Sequence, residues 1–374
     1  MQQSLVAERT RGDIEVLARA GLELEVFLSE AVDSLARAVP HVAACVGTHD
    51  PATHLLTSAR KFGDLADNND HDGVFGQIEY DSDETTTFRA LFEAGRTGVA
   101  MDLATQGEVE RSVRMGRLMK PIYGYYDELR MLYREGRTFW GSISIFRGPD
   151  DPTFSADDLE FIESLSGFFA RGVRGGILTR IADSTPPADA GPAVIVIDAS
   201  DEIAQLSPGA AARLEQLRSV DHFADPMGVL LALVGTARRQ LRGEVTPAPR
   251  IRVRAADGMW LLLHASPLPG FGDRAGDVVI TIEEARPPEI VELVVSAFDL
   301  TPRERDVTQL VLRGVDTKEI AQALHVSAYT VQDHLKAIFE KLDVRSRREL
   351  IARVYFDQYE PRIGQPLAAT GNFA

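Results

Sequence analysis

Four polar side chains able to read hydrogen-bonding groups, Tyr329, Gln332, Asp333 and Lys336, fall within one short stretch of this chain. On a helix turning about 100° per residue with Val331 set to zero, Lys336 lies at about 140°, Tyr329 at about 160° and Asp333 at about 200°, with Gln332 at the edge at about 100°. Leu335, Ile338 and Leu342 stay within about 40° of Val331 and form the opposite, apolar stripe. Such a helix suits the major groove of duplex DNA, where side chains of the first turns reach base edges. A second pattern is His41, Cys45 and His49 at every fourth residue, with His54 following, which is a donor set seen in metal or haem sites. The flanking Val42-Ala-Ala44 and Val46 read as a buried strand, so these residues are expected in a core and not on a metal. The chain has no Gly-x-x-x-x-Gly-Lys-Ser/Thr loop, His-Glu-x-x-His, Gly-x-Ser-x-Gly or dinucleotide fingerprint, and its many acids single out no pair. No catalytic residue, metal or cofactor is therefore expected, and the chain is not read as an enzyme. The acidic layout of a phosphoacceptor receiver domain is also missing.

The elements that must position the polar row are legible around it. Thr301-Pro302-Arg303-Glu304 supplies an N-cap, a proline at the first helical position and the acid of a capping box. Val307, Leu310 and Val311 give that helix an apolar face, and Gly314 ends it. A second helix opens at Thr317, turns Ile320, Ala321 and Leu324 inward and stops at His325-Val326; Ser327 then caps the third. The stretch LTPRERDVTQLVLRGVDTKEIAQALHVSAYTVQDHLKAIFEKLDVRSRREL, from Leu300 to Leu350, resembles the LuxR-type DNA-binding domain. The resemblance implies that Thr317 to Leu324 is the scaffold helix and Ala328 to Leu342 the recognition helix. It further implies that Gln332, Asp333 and Lys336 face bases while Thr330, Lys341 and Arg347 meet phosphates. Lys318, Tyr329 and Arg345 complete the expected DNA-contacting set. Asp333 departs from the family, which more often has an apolar or neutral residue there. An acid repels phosphate but accepts from cytosine N4, so it is expected to govern sequence choice.

The chain has 374 residues and a formal net charge of -16, which at first opposes a polyanionic partner. The acid lies elsewhere: Thr301 to Ile363 holds eleven Lys and Arg against ten Asp and Glu, leaving 29 basic and 46 acidic residues outside it. Composition, at 44% hydrophobic and 26% charged, is that of a globular protein. No apolar run approaches the roughly 20 residues of a membrane helix, and charges interrupt the N-terminal region where a secretory signal would be apolar. With Cys45 as the single cysteine, a reducing, cytoplasmic setting without membrane association is expected.

Two proline-bearing stretches, Asp183 to Pro192 and Ala285 to Pro288, read as linkers. Ahead of them Ile14, Leu17, Gly21, Leu24, Leu28, Ala31, Leu35 and Ala38 alternate spacings of three and four, predicting one long helix with a heptad seam. The seam packs either on its own domain or on a second subunit. Strand-like stretches follow at Val42 to Val46, Leu129 to Tyr133 and Trp140 to Phe146, then a helix capped by Ser155 and Asp158 that runs to about Ile181. This layout, with Arg137 in a hairpin turn, resembles a GAF domain. Between the linkers, the strand Ala193 to Ile197, the helix start Ser207-Pro208, a hairpin through Asp257-Gly258 and a last strand from Asp277 to Glu283 are similar to a PAS-like fold. Ser207 stands where that family often has Asn, which bears on ligand binding.

The expectation is a multidomain chain: an α+β GAF-like sensor domain with long flanking helices over 1–182, an α+β PAS-like domain over 192–285, and an all-α four-helix LuxR-type helix-turn-helix domain over 296–362. Its expected function is sequence-specific regulation of transcription, gated by the front domains. Expected partners are double-stranded DNA bearing an inverted repeat, a second copy of the chain, RNA polymerase, and a small-molecule ligand in the GAF-like or PAS-like domain. Dimer contacts are expected on the heptad helix, the 155–181 helix or the last helix, Ser346 to Tyr359. The alternative is a ligand-binding sensor whose terminal helices dock a protein partner.

Overall fold

Gly21 interrupts the expected long helix. The computed structural model describes residues 2–66, 68–136, 138–179, 191–218, 226–244, 246–255, 258–269 and 275–356. In it, α1 (Gln2–Arg19) ends just before Gly21, whose φ of +64 is a left-handed backbone that glycine takes without a Cβ clash, and α2 (Leu24–Ala38) runs back along α1. Thr10 Oγ1 donates to Ser34 O, and Arg37 pairs with Asp13 at 2.8 Å. The single heptad helix is thus corrected to a helical hairpin, and Ile14, Leu28, Ala31 and Leu35 are buried in it.

The chain divides into two compact units, the first built from both sheets and the second from residue 284 onward. The first sheet is formed by β1 (Ala43–His49), β2 (Leu56–Gly63), β3 (Gly98–Ala100), β4 (Asp127–Glu135) and β5 (Thr138–Arg147), in the order β2-β1-β5-β4-β3. Between β2 and β4 lie α3 (Asp72–Tyr80), α4 (Phe88–Glu93), α5 (Met101–Thr105) and α6 (Lys120–Tyr123). One apolar core joins Phe88, Leu91, Met101, Met115 and Leu118 of this region to Leu132, Phe139 and Phe146 of the sheet. Against β4 packs α7 (Ala156–Leu178), begun by the expected Ser155–Asp158 capping box and ending three residues before Ile181. Both α1 and α2 pack on α7. Phe27 reaches Phe169 edge-on at 5.9 Å, and Phe169 stacks on Tyr133 at 4.9 Å. Gly172 permits that approach, since a Cβ there would sit 2.1 Å from the Phe27 ring.

The second sheet has the same relative order. Its strands are β6 (Ala193–Ile197), β7 (Ile203–Leu206), β8 (Arg250–Arg254), β9 (Trp260–Pro267) and β10 (Val278–Glu284), ordered β7-β6-β10-β9-β8. Ser207 acts as expected, accepting from Ala210 N at 3.2 Å at the start of α8 (Pro208–Arg218). The helix α9 (Met227–Leu241) covers this sheet and also crosses α3, where small residues admit it: Gly76 faces Leu231 and Gly235 faces Tyr80. Leu55 and Leu56, at the entry to β2, belong to the same core as Ile195, Leu233, Ile251 and Val278. The two sheets therefore share buried apolar surface. Arg137, Asp257, the 183–190 part of the first linker and the end of the last helix beyond Phe356 lie outside the described residues.

His41, Cys45 and His49 are separated in role. His41 Nδ1 lies 2.8 Å from Val39 O before β1, while His49 is 2% exposed on β1, its ring 5.1 Å from that of Phe139 and 5.9 Å from Phe88. Among the described residues no group of three His, Cys, Asp or Glu is arranged to hold a metal ion. Burial, with smaller contributions from His54 and Arg130, pushes the His49 imidazole down to about 3. The folded chain thus holds His49 neutral, whereas the unfolded chain takes up a proton near the ordinary 6.5. Stability is expected to fall as pH drops below about 6.5 toward about 3. Denaturant midpoints at about pH 7 and about pH 5 should differ less in His49→Phe than in the natural chain; an equal loss in both would remove His49 from the acid response.

Candidate nucleic-acid interface

The second unit is helical. After α10 (Pro287–Ala297) come α11 (Pro302–Leu312), α12 (Thr317–Ala323), α13 (Ala328–Lys341) and α14 (Arg347–Ile351), followed by one π-helical turn, Ala352–Phe356. The starts are set by local chemistry. Thr301 and Glu304 close the expected capping box on α11, and Ser327 Oγ accepts from Thr330 N at 3.0 Å at the head of α13. Asp316 caps α12, taking Lys318 N at 2.7 Å and Glu319 N at 2.9 Å, while Glu319 returns to Asp316 N. The sequence carries the signature of that box in Asp316-x-x-Glu319. His325, at φ +53, makes the left-handed step between α12 and α13.

The apolar stripe of α13 is where periodicity puts it: Val331, Leu335, Ile338 and Leu342 are all buried, and α13 packs on α11 and α12. Ile320 and Ala321 of α12 and Val307 and Val311 of α11 complete this core. The opposite face carries Tyr329, Gln332, Asp333 and Lys336, all exposed, with Tyr329 at 76%. Among the described residues the side chains of Lys318, Tyr329, Asp333 and Lys336 make no hydrogen bond or ion pair, so their polar groups remain available to an outside partner.

Gln332, Thr330, Lys341 and Arg347 make side-chain bonds within the domain. Thr317 Oγ1 accepts from Arg347 Nη2 at 2.9 Å and from Gln332 Nε2 at 3.5 Å, joining α12, α13 and α14 at one hydroxyl. Arg347 Nη1 also donates to Val315 O at 2.9 Å. Lys341 Nζ lies 2.7 Å from Glu304 Oε2. Burial acts to raise the Glu304 carboxyl, but hydrogen bonds from Lys341 and the Thr301 N–H outweigh it and hold the group below its ordinary range. Thr330 Oγ1 is 2.8 Å from Ser327 Oγ, and Arg345 is exposed with its backbone N–H donating to Glu349. Arg303 donates to Leu324 O, tying α11 to the end of α12, a clamp that the sequence reading missed.

Residues 299–354 match the family profile of bacterial regulatory proteins, luxR family. They form a LuxR-family helix-turn-helix domain. The transcriptional regulatory protein DesR of Bacillus subtilis is 46% identical over 67 residues, 18% of this chain and 34% of DesR. The tetrathionate response regulatory protein TtrR of Salmonella typhimurium is 37% identical over 62 residues, 17% of this chain and 30% of TtrR. The chain thus spans about a third of the length of these relatives. The solved phage VqmA–DPO complex aligns over 45% of this chain and 82% of that one at 20% identity, with a TM-score of 0.24, too loose a superposition to bear on fold or function.

Proposed function

We propose that this chain is a LuxR-type transcription regulator that reads duplex DNA with α13 and is gated by the sheet-bearing front unit. The observation that carries the reading is the exposed polar row on α13, with Tyr329, Asp333 and Lys336 making no side-chain bond within the described residues, set by a buried stripe inside a LuxR-family domain. Gln332, Asp333 and Lys336 reach base edges from the first turns of that helix, with Asp333 selecting for cytosine N4. Lys318, Thr330, Lys341, Arg345 and Arg347 serve the phosphates, the last through a guanidinium already oriented by Thr317. One helix of this size offers few base contacts, so the chain acts as a homodimer on an inverted repeat with half-sites about one helical turn apart. RNA polymerase is the downstream partner on this reading.

The shared strand order of the two sheets supports GAF-like and PAS-like sensor domains over 1–182 and 192–285, ahead of the DNA-binding domain over 296–362. On this reading the chain is a cytoplasmic regulator; no helix among the described residues is long and apolar enough to cross a membrane.

Selection of genomic fragments by the full chain at two salt concentrations tests the proposal. One inverted repeat should be enriched, and affinity should fall steeply with salt as counterions are released. Lys336→Ala should weaken specific binding by about 1–3 kcal/mol. Enrichment by neither the full chain nor residues 290–374 would leave docking of a protein partner as the better reading.

A further inference from the structure

Three adjacent strands place small residues side by side on one face of the first sheet. Ala59 of β2 pairs with Gly47 of β1, and Gly47 pairs with Ser142 of β5. In the next row on that face Lys61 pairs with Cys45, and Cys45 with Ser144. So little bulk leaves a cavity of about 60 Å³ over the sheet, roofed by Phe75 of α3, Phe88 of α4 and Leu118. Its volume is about twice the share of one water in the liquid and under half of the roughly 150 Å³ that holds benzene. Cys45 stands in mid-strand with a partner on each side yet is only half-buried, since its outer face opens on the cavity. Gly228, at the start of α9, borders the same space, so a guest there meets the helix that covers the second sheet.

Most of the cavity surface is apolar, and cavities walled in this way stay dry and take up apolar guests. One hydroxyl of the floor is free to meet such a guest. Ser142 is 3% exposed and lines the cavity, and its side chain bonds to no protein group among the described residues. Its oxygen is not one of the unpartnered atoms that the protein seals completely, so it keeps accessible surface, and that surface lies on the cavity. The neighbouring Ser144 Oγ already accepts from Arg130 Nε at 3.2 Å.

The charge on the wall is already matched. Lys61 Nζ donates to Asn68 O at 2.7 Å, Asn69 Oδ1 at 2.8 Å and Asp72 Oδ1 at 2.5 Å, which uses every hydrogen of the ammonium. Burial pushes the Cys45 thiol up to about 11 and holds His49, also on this wall, neutral. An added ion would be desolvated without a free counter-charge.

We propose that this cavity binds an uncharged molecule smaller than benzene, apolar except for one acceptor atom that takes a hydrogen bond from the Ser142 hydroxyl. This names the ligand class for the sensor reading above and rests on it.

Acetonitrile, a methyl group bearing a linear nitrogen acceptor, serves as the probe. Dichloromethane is of similar size without that head, and formate and ethylammonium are the ionic counterparts. Amide-shift titration of the full chain by NMR should show one saturable acetonitrile site at Gly47 and Ser142, with a Kd in the millimolar range that so few atoms permit. Dichloromethane should bind at the same amides, and either ion about tenfold or more weakly than acetonitrile. Ser142→Ala should weaken acetonitrile about three- to tenfold and leave dichloromethane unchanged. Ala59→Val, which adds two methyl groups to the floor, should abolish binding of both while the melt stays cooperative. The proposal is overturned by no saturable shift with either neutral compound up to about 100 mM, by an ion binding as tightly as acetonitrile, by an acetonitrile affinity untouched in Ser142→Ala, or by binding retained in Ala59→Val. The titration reads the cavity and the fragment selection above reads the DNA-binding domain, so failure of the one is distinguishable from failure of the other.

Discussion

Arg114→Ala is expected to destabilise the first unit by about 3–5 kcal/mol, because it strands a carboxylate in the core. Arg114, Glu128 and Arg130 are wholly buried and Glu79 is 5% exposed. Arg114 grips Glu128 with Nε at 2.9 Å and Nη2 at 2.8 Å, and Arg130 holds Glu79 at 2.9 Å and lies 3.4 Å from Glu128. Two cations and two anions thus cancel where water is excluded. Thr86 joins them, its hydroxyl taking Arg114 Nη2 and its carbonyl taking Arg130 Nη1 at 2.5 Å, and the Arg130 guanidinium lies 3.6 Å over the Phe88 ring. Removing Arg114 leaves one cation against two carboxylates. The paired replacement Arg114→Met with Glu128→Gln should cost less than the sum of the two single changes, since no net charge is then left buried. Denaturant titration of the three variants measures this. A loss below about 1 kcal/mol for Arg114→Ala would show that the site relaxes or admits water well enough to make the network dispensable.

Asp50→Ala should cost a similar amount, about 3–5 kcal/mol, and should loosen the connection between the two sheets. Asp50 is 2% exposed at the end of β1 and accepts three N–H groups of Arg252 on β8: the backbone N at 3.0 Å, Nε at 2.8 Å and Nη2 at 2.5 Å. It also organises its own turn, accepting from Ala52 N at 2.9 Å with its carboxylate and from His54 N with its carbonyl. The carboxylate therefore fixes the turn that carries Thr53 and His54 while holding the second sheet. Asp50→Asn keeps the shape and loses the charge, so its loss should be smaller than that of alanine. Hydrogen exchange in β1 and β8 gives the sharper reading: both strands should lose protection together in Asp50→Ala. Faster exchange in β1 alone would mean that the Asp50–Arg252 contact does not couple the sheets.

The DNA-binding domain was legible because its determinants are short-range. A cap and its acid lie three residues apart, and an apolar stripe repeats every three or four, so Thr301–Glu304, Ser327 and the Val331–Leu342 stripe could be placed from spacing alone. The exposed row opposite that stripe followed from the same geometry. What spacing could not decide was which cations are held by neighbours: Lys341 lies 37 positions from Glu304, and Arg347 lies 30 from Thr317. The front unit shows the same limit at greater range. Strand and helix positions were readable there, yet the heptad seam ran through Gly21 because a periodicity count carries no backbone angle. The buried network of Glu79, Arg114, Glu128 and Arg130 draws on α3, a short helical turn and β4, and nothing in the local pattern of any one of them marks the others. Asp50 and Arg252 stand 202 positions apart. Local periodicity and capping were enough to determine most elements and the exposed polar row of α13; burial and long-range pairing of charges, which depend on what the completed fold excludes from water, were decided only in the tertiary structure.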